Sequence, residues 1–151
     1  MKISTNIAIR RAIANDADKV ADIFVAARAR MTYLPMVHTE AETRAHFRGL
    51  QDRMEVWVAE LDGRVVGFAA IHDDWLDHIN VYPNAQNRGT GSALLAKTKQ
   101  RRPAGFQVWA FQQNEGARRF YARHGCREVE WTDGEGNEER TPDVRFEWRP
   151  A

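Results

Sequence analysis

The chain has 151 residues, of which 22 are lysine or arginine and 21 are aspartate or glutamate, so its formal net charge at pH 7 is +1. A chain of this length is expected to bury one core and to form a single domain over residues 1–151. The balanced charge gives no general field that would favour nucleic acid or an anionic membrane as a partner, so any anion site must be local.

Cysteine content and hydrophobic runs favour a cytoplasmic protein. Cys126 is the single cysteine and cannot form an internal disulfide. No apolar run reaches the roughly 18 residues that a membrane span requires, and the opening Met1 to Ile9 lacks the apolar core of a secretory signal. We therefore expect a cytoplasmic location, while the sequence leaves open whether the protein forms a homodimer.

The first third of the chain predicts one strand and two helices. Isoleucines from Ile7 to Ile13 alternate with polar residues as in a short strand, and the pair Asn15-Asp16 then offers an N-cap. Apolar residues at helical spacing follow, as far as the irregular loop from Met31 to His38. Thr39 and Glu42 have the spacing of a capping box and predict the start of the second helix.

The middle of the chain predicts three adjacent strands and a helix. Val56 to Leu61 and Val65 to Ile71 are rich in strand-forming residues, and Asp62-Gly63-Arg64 between them predicts a tight antiparallel hairpin. Trp75 to Val81 reads as the third strand, which stops before Pro83. A helical pattern beginning near Ser92 then runs to the break at Arg102-Pro103.

The last third predicts three more strands and a helix. Phe106 to Phe111 is a strand, and Glu115 to His124 is a helix with Asn114 at its start and Gly125 past its end. Arg127 to Trp131 and Val144 to Trp148 are predicted to be closing strands around a polar loop.

A glycine-rich loop lies between the Trp75 strand and the helix that follows it. In Gln86-Asn87-Arg88-Gly89-Thr90-Gly91, unpaired N–H groups and the helix dipole would favour a bound phosphate. The loop lacks the spacer and the Lys-Ser/Thr pair of nucleotide hydrolases, and it lacks the third glycine of the dinucleotide fingerprint. A turn that merely caps the helix is the alternative.

Two motifs in order resemble the GCN5-related N-acetyltransferase (GNAT) family. Val81-x-Pro83-x-x-Gln86-x-x-Gly89-x-Gly91 is similar to the family's acetyl-CoA-binding motif, and Asn114-x-x-Ala117-x-x-Phe120-Tyr121-x-x-x-Gly125 to its second motif. The resemblance implies an α/β (α+β) fold: a mixed, mostly antiparallel sheet of about six or seven strands, flanked by about four helices and splayed between the fourth and fifth strands.

The resemblance also implies acetyl-CoA as co-substrate and assigns residues to it. The loop amides would hold the pyrophosphate, Arg88 would add a cation, and Val81 and Asn114 would bind the pantetheine arm. The expected donor-binding residues are Val81, Gln86, Asn87, Arg88, Gly89, Thr90, Gly91, Ser92 and Asn114.

Catalytic roles follow from the same resemblance. Tyr121 occupies the position where many members carry a phenol that protonates the leaving thiolate. The general base stays open between Asp77, His78 and a water molecule, because Trp75 stands where the histone-modifying members carry theirs. Asp77 is favoured, and strand alternation points His78 to the opposite face unless a bulge intervenes. A core role for Tyr121 and a solvated role for Asp77 are the alternatives.

Other chemistry in the chain is less specific. The cluster of His72, Asp73, Asp74, Asp77 and His78 lacks the spacing of a zinc hydrolase, so no metal is expected. Cys126 is expected to be a buried apolar side chain. Trp109 would either line the site or pack under it, and packing is favoured. The Met31 to His38 loop would either form an acceptor pocket or be pinned to the core.

The expected function is acetyl transfer to a primary amine, with a small-molecule amine as the first acceptor class. A protein N-terminus or lysine is the second class, since one scaffold hosts both. A non-catalytic acyl-CoA-binding module and another nucleotide binder, for ATP or NAD, are the remaining alternatives.

Overall fold

The computed structural model describes residues 6–151. Over these residues the chain forms seven β-strands and four α-helices, joined in places by short 3-10 turns. No helix of this described part is long and apolar enough to cross a membrane. The elements in chain order are β1 (Ile7–Arg11), α1 (Ala17–Arg28), α2 (Glu40–Arg48), β2 (Glu55–Leu61), β3 (Arg64–His72), β4 (Trp75–Val81), α3 (Thr90–Arg101), β5 (Phe106–Phe111), α4 (Glu115–Arg123), β6 (Arg127–Thr132) and β7 (Asp143–Trp148).

The strands form one mixed sheet in the order β1-β2-β3-β4-β5-β7-β6. Every neighbouring pair is antiparallel except β4 and β5, which are parallel. The last strand of the chain inserts between β5 and β6, so the order in space departs from the order in sequence there. This architecture confirms the predicted fold class.

The sheet is split between β4 and β5. These strands pair only where Trp75 lies opposite Gln107, beside a hydrogen bond of 2.8 Å from the Gln107 amide to the Asp74 carbonyl. Beyond this point the strands diverge toward the Val81 end of β4. Backbone groups of β4 on the side of the gap are left without a strand partner, so they remain available to a ligand.

Helices cover the sheet from both sides. One apolar cluster lies under α1 and α2 and centres on buried Ile23, Phe47 and Phe68. The other lies under α3 and α4 and includes buried Leu94 and Phe146. The amphipathic helices bury their apolar stripes against the two faces, which accounts for the layered arrangement.

Local sequence signals account for several of the connections. Asp62 and Gly63, between β2 and β3, have φ values of 53° and 84°. Two successive positive φ angles are what a type I′ hairpin turn requires, and the Asp-Gly pair tolerates them. At α2, Thr39 and Glu42 exchange the two hydrogen bonds of a capping box, as predicted.

Asp16 precedes α1 but does not cap it with its side chain. Its carboxylate instead accepts two hydrogen bonds from the Arg10 guanidinium, at 2.8 and 3.0 Å, and one from the Ile13 amide at 2.8 Å. The helix begins where the Asn15-Asp16 pair predicts, but the prediction that a side chain of this pair caps the helix is wrong. A charge-assisted pair with Arg10 on the neighbouring strand outcompetes the local bond.

Candidate functional site

A cleft of about 1200 Å³ opens where β4 and β5 part. Its walls are the end of β4, the loop before α3, the start of α4 and the loop between β6 and β7. This volume lies slightly above the range of about 300–1,000 Å³ that is typical of small-molecule pockets.

The loop before α3 places the glycine-rich segment along one end of the cleft. Asn87 and Gly89 have φ values of 65° and 84°, so the backbone turns sharply twice before the helix. Gly89 is the N-cap of α3 and has no side chain that could cap the helix. Amides of the first turn are therefore left without an intrahelical partner. Thr90 Oγ1 is also buried there with no hydrogen-bond partner among residues 6–151.

The residues expected to bind the donor mostly meet in this cleft. Arg88 is the exception, because it is exposed and not part of the lining. Gly91 lies against α4, where an added Cβ would be 3.4 Å from the Phe120 ring. The residues of this set that line the cleft are Val81, Gln86, Asn87, Gly89, Thr90, Gly91, Ser92 and Asn114.

Val81 and Asn114 lie on opposite sides of the gap. Val81 pairs with Gly67 of β3, while its other edge faces the gap, where the Gln86 side-chain amide lies 3.5 Å from its carbonyl oxygen. Asn114 caps α4, because its Oδ1 accepts a hydrogen bond of 3.1 Å from the Ala117 amide. Since Oδ1 is engaged in the cap, the Asn114 side-chain NH₂ remains available as a donor.

Tyr121 has its ring in the core and also lines the cleft. The ring packs between Phe120 and Phe146, with centroid distances of 5.5 and 5.3 Å. Its hydroxyl makes no hydrogen bond to residues 6–151. Burial, with a smaller contribution from Cys126, raises the pKa of the Tyr121 hydroxyl. The hydroxyl therefore stays protonated at neutral pH, as a proton donor must.

A β-bulge at Asp77 decides how β4 presents its two titratable residues. Ala70 pairs with His78 and Ile71 with Leu76, so Asp77 has no partner of its own on β3. The extra residue interrupts the alternation of side chains. Asp77 and His78 consequently both line the cleft, which simple strand alternation would not predict.

These two side chains have different environments. Partial burial in the cleft raises the pKa of Asp77, a shift that nearby His72 opposes. The His78 ring packs against Phe24 and Phe47, at centroid distances of 5.7 and 4.9 Å. Burial among these aromatic rings lowers the pKa of His78 to about 4, so its imidazole is neutral at pH 7.

The acidic and histidine cluster around the β3–β4 turn does not converge on one point. Asp73 lies in the turn with a φ of 53°, whereas His78 points into the aromatic cluster under α1 and α2. Among residues 6–151, no group of three His, Cys, Asp or Glu side chains is arranged to hold a metal ion.

The opposite end of the cleft is formed by the loop after α1 and the loop after β6. Met31 and Tyr33 line it from the loop after α1, and Asn137 and Glu139 line it from the loop after β6. A salt bridge of 2.5 Å joins Arg28, at the end of α1, to Glu139. Sequence reasoning missed the contribution of the 133–142 loop, because its polar composition is typical of any surface turn.

The prediction for Cys126 is confirmed, whereas the packing role favoured for Trp109 is wrong. Cys126 is buried, as expected, and burial raises the pKa of its thiol to about 11. Trp109 does not pack under the site as predicted. It is 40% exposed, lines the cleft, and stacks on Trp75 with ring centroids 6.3 Å apart and planes 5° apart. The ring therefore lies at the open cleft, beside Trp75 of β4, and not beneath the site.

Residues 52–128 match the family model described as the acetyltransferase (GNAT) domain. The chain belongs to the GNAT acetyltransferase family. This membership confirms the resemblance carried by the two motifs and the expectation of an acetyl-CoA-dependent N-acetyltransferase domain.

Relatives of this GNAT chain are also acetyltransferases. An uncharacterized N-acetyltransferase of Archaeoglobus fulgidus is 28% identical over 86% of this chain and 99% of its own length. An uncharacterized N-acetyltransferase of Methanocaldococcus jannaschii is 32% identical over 60% of this chain and 48% of its own length. The peptidyl-lysine N-acetyltransferase YiaC of Escherichia coli is 36% identical over 51% of this chain and 54% of its own length. The chain thus spans about half the length of these last two relatives.

Solved structures share the fold. Apo YjaB of Escherichia coli superposes with a TM-score of 0.78 at 20% identity, covering 97% of this chain and 99% of that one. YncA of Salmonella typhimurium, whose structure contains acetyl-CoA, has a TM-score of 0.73 at 21% identity over 95% and 94%. The likeness extends the GNAT architecture over nearly the whole chain.

Proposed function

We propose that this protein transfers the acetyl group of acetyl-CoA to the primary amine of a small molecule by direct attack. The amine nitrogen attacks the thioester carbonyl, the new C–N bond forms and the C–S bond breaks. The thiolate takes a proton, and the amine gives one up. A cytoplasmic location and a single-domain organisation remain predictions.

The donor site of the proposal is the end of the cleft at α3. The unpartnered amides after Gly89 would hold the pyrophosphate, where the positive end of the helix dipole favours an anion. The pantetheine arm would then run along the open edge of β4 at Val81, opposite the side-chain NH₂ of Asn114. This placement supports binding of the thioester in the gap between β4 and β5.

Tyr121 is the proposed acid. Its hydroxyl has no protein partner in the described chain, and burial keeps it protonated. It would protonate the departing thiolate and then recover its proton from solvent. Because the negative charge that develops on the sulfur is poorly solvated in an apolar site, a positioned proton donor lowers the barrier.

Asp77 is the proposed base. The bulge directs it into the cleft, and it accepts no hydrogen bond from residues 6–151, so an amine or an intervening water could approach it. His78 is held among aromatic rings, with a pKa of about 4. Its fixed position suits a wall of the acceptor site better than a proton acceptor.

The small-molecule acceptor is supported by the contact between Arg28 and Glu139. Because this salt bridge joins the end of α1 to the loop after β6, it narrows that end of the cleft for an extended peptide. A small amine, or a single side chain inserted end-on, could enter. This one contact is the observation that favours a small amine, or a single inserted side chain, over a peptide bound along the cleft.

Acetylation of a protein lysine is the second candidate. Similarity to the peptidyl-lysine N-acetyltransferase YiaC favours it, and a lysine side chain could enter the cleft end-on. Incubation of the protein and acetyl-CoA with small primary amines, and separately with lysine peptides, tests both candidates. Thiol release and the mass of the acetylated product identify the acceptor.

We expect acetylation of a small amine. Acetylation of peptide lysines alone would establish the second candidate. Binding of acetyl-CoA without thiol release in either panel would indicate a non-catalytic module. Thermal stabilisation by ATP or NAD instead of acetyl-CoA would contradict the donor assignment.

A further inference from the structure

Ser92 and His124 connect the two helices that border the donor end of the cleft. Ser92 lies in the first turn of α3, and its Oγ is 2.9 Å from Nε2 of His124, where α4 ends. The His124 ring packs on Phe120, with centroids 4.7 Å apart, and Phe120 in turn lies against Gly91. The end of α4 therefore holds the start of α3 at two successive residues.

The backbone of His124 is itself held in place. Its carbonyl oxygen accepts a hydrogen bond of 2.7 Å from the Lys99 ammonium group, further along α3. Its amide donates to the carbonyls of Phe120 and Tyr121, at 3.2 and 3.1 Å. These bonds, together with the packing on Phe120, leave the imidazole with little freedom to turn away from Ser92.

The imidazole of His124 is neutral near pH 7. Burial first, and then the charges of Lys99 and Arg123, lower its pKa. A neutral imidazole donates a hydrogen bond from one nitrogen and accepts at the other, so two arrangements with Ser92 exist. In one, Nε2 accepts the hydroxyl proton of Ser92. In the other, Nε2–H donates to the Ser92 oxygen.

These arrangements differ in what Ser92 offers to an anion. When Nε2 accepts the hydroxyl proton, only oxygen lone pairs of Ser92 remain for a ligand, and they repel a phosphate. When Nε2–H donates to Ser92 Oγ, the hydroxyl proton is free for a phosphate oxygen. A phosphate at the start of α3 would therefore favour the second arrangement.

We propose that His124 is a positioning residue that donates from Nε2 to Ser92 Oγ and thereby directs the Ser92 hydroxyl proton toward the pyrophosphate of acetyl-CoA. The inference rests on the proposed donor site in the loop before α3. His124 itself does not line the cleft and touches the ligand only through Ser92.

A calorimetric titration with acetyl-CoA tests this role without knowledge of the acceptor. His124→Leu removes the donor, and His124→Asn stops short of the Nε2 position. His124→Gln places an amide N–H₂ where Nε2 was and is the conservative rescue. Each change is made in the wild-type protein and in Ser92→Ala, and thermal unfolding checks that every variant is folded.

We expect His124→Leu and His124→Asn to weaken acetyl-CoA binding by about fivefold to tenfold, the size of one ordinary hydrogen bond. His124→Gln should bind within about twofold of wild type, and no His124 variant should weaken binding further in Ser92→Ala. The same losses are expected with dephospho-CoA, which keeps the pyrophosphate.

The proposal is wrong if the His124 variants lose as much acetyl-CoA affinity in Ser92→Ala as they do in the wild-type protein. It is also wrong if His124→Gln loses as much affinity as His124→Asn. The asparagine and glutamine variants keep the test decisive should the leucine variant not fold. Failure of the proposed donor site is distinguishable, because the wild-type protein itself would then not bind acetyl-CoA.

Discussion

Asp77 and His78 are neighbours along β4, yet both line the cleft. A β-bulge produces this arrangement by leaving Asp77 without a partner between the pairs formed by Leu76 and His78. Two titratable side chains therefore reach the site where acyl transfer is proposed. Their environments differ enough that mutation can separate their roles.

For the base, we expect Asp77→Asn to lower kcat/KM at pH 7 by about tenfold or more, because no general base then takes the proton of the attacking amine. The defect should shrink at high pH, where the amine arrives already deprotonated. His78→Asn is the comparison variant, and any loss that it causes should not be relieved at high pH, because His78 is proposed as a wall of the site and not as the base. Profiles of kcat/KM against pH for the wild type and both variants provide the measurement.

The acid side of the wild-type profile gives an independent check on Asp77. Since its pKa is raised, activity should fall as pH drops through a value above the ordinary 3.8 of an aspartate. A reversal of the two mutant phenotypes would identify His78 as the base. Small and equal losses would mean that solvent deprotonates the amine.

Removal of the Tyr121 hydroxyl should slow turnover without weakening donor binding. We expect Tyr121→Phe to lower kcat about 10²-fold, the usual size for a positioned proton donor, with an unchanged Kd for acetyl-CoA. Because burial raises the pKa of Tyr121, its deprotonation should cause no alkaline loss of activity up to about pH 10, the ordinary value for a tyrosine. Tyr82→Phe, outside the cleft lining, serves as the control. A rate within about threefold of wild type would make Tyr121 a packing residue.

Gly89 and Gly63 permit a matched test of the donor loop, because both have a φ of 84°. A Cβ at Gly63 would meet nothing within 4 Å, and one at Gly89 only the Ile7 side chain at 3.7 Å. Gly89→Glu and Gly63→Glu should therefore impose similar backbone strain, about 1–2 kcal/mol. Only Gly89→Glu should abolish acetyl-CoA binding, because its carboxylate would repel the pyrophosphate. Unchanged affinity in calorimetry would contradict the donor assignment.

Asp16 should contribute to stability in a pH-dependent way. The hydrogen bonds from Arg10, and then the bond from the Ile13 amide, lower its pKa against the opposing effect of burial. A lowered folded-state pKa means that this stability is present above the ordinary value of 3.8 and is lost as pH falls through the lower folded value.

The corresponding measurement is urea unfolding of Asp16→Asn, with Asp18→Asn as the exposed control. We expect a loss of about 1–3 kcal/mol for Asp16→Asn at pH 7, since a buried carboxylate is replaced by a poorer acceptor. The control should change little, because the Asp18 pair with Arg48 is exposed. The difference between wild type and Asp16→Asn should shrink at strongly acid pH. A pH-independent difference would show that the charge of Asp16 does not contribute.

Local patterns in the sequence predicted most of the fold. Asp62-Gly63 predicted a hairpin because few residue pairs tolerate two positive φ angles, and Thr39 with Glu42 predicted a helix start because their side chains bond within one turn. The sequence could not predict that β7 inserts between β5 and β6. Several strand orders satisfy the same alternation of apolar residues, and only the packing of both faces selects one.

The sequence by itself determined the family and predicted the loop that we propose as the donor end of the site, because a helix start and its preceding loop are encoded by residues close together in the chain. Tertiary structure alone decided how the other walls of the cleft are built, where we propose that the amine binds. The bulge at Asp77 depends on the register of β3 against β4, and the exposure of Trp109 depends on which face the helices leave open. The contact between Arg28 and Glu139 joins residues far apart in sequence. Such long-range pairings depend on how the whole chain packs, so no local pattern records them.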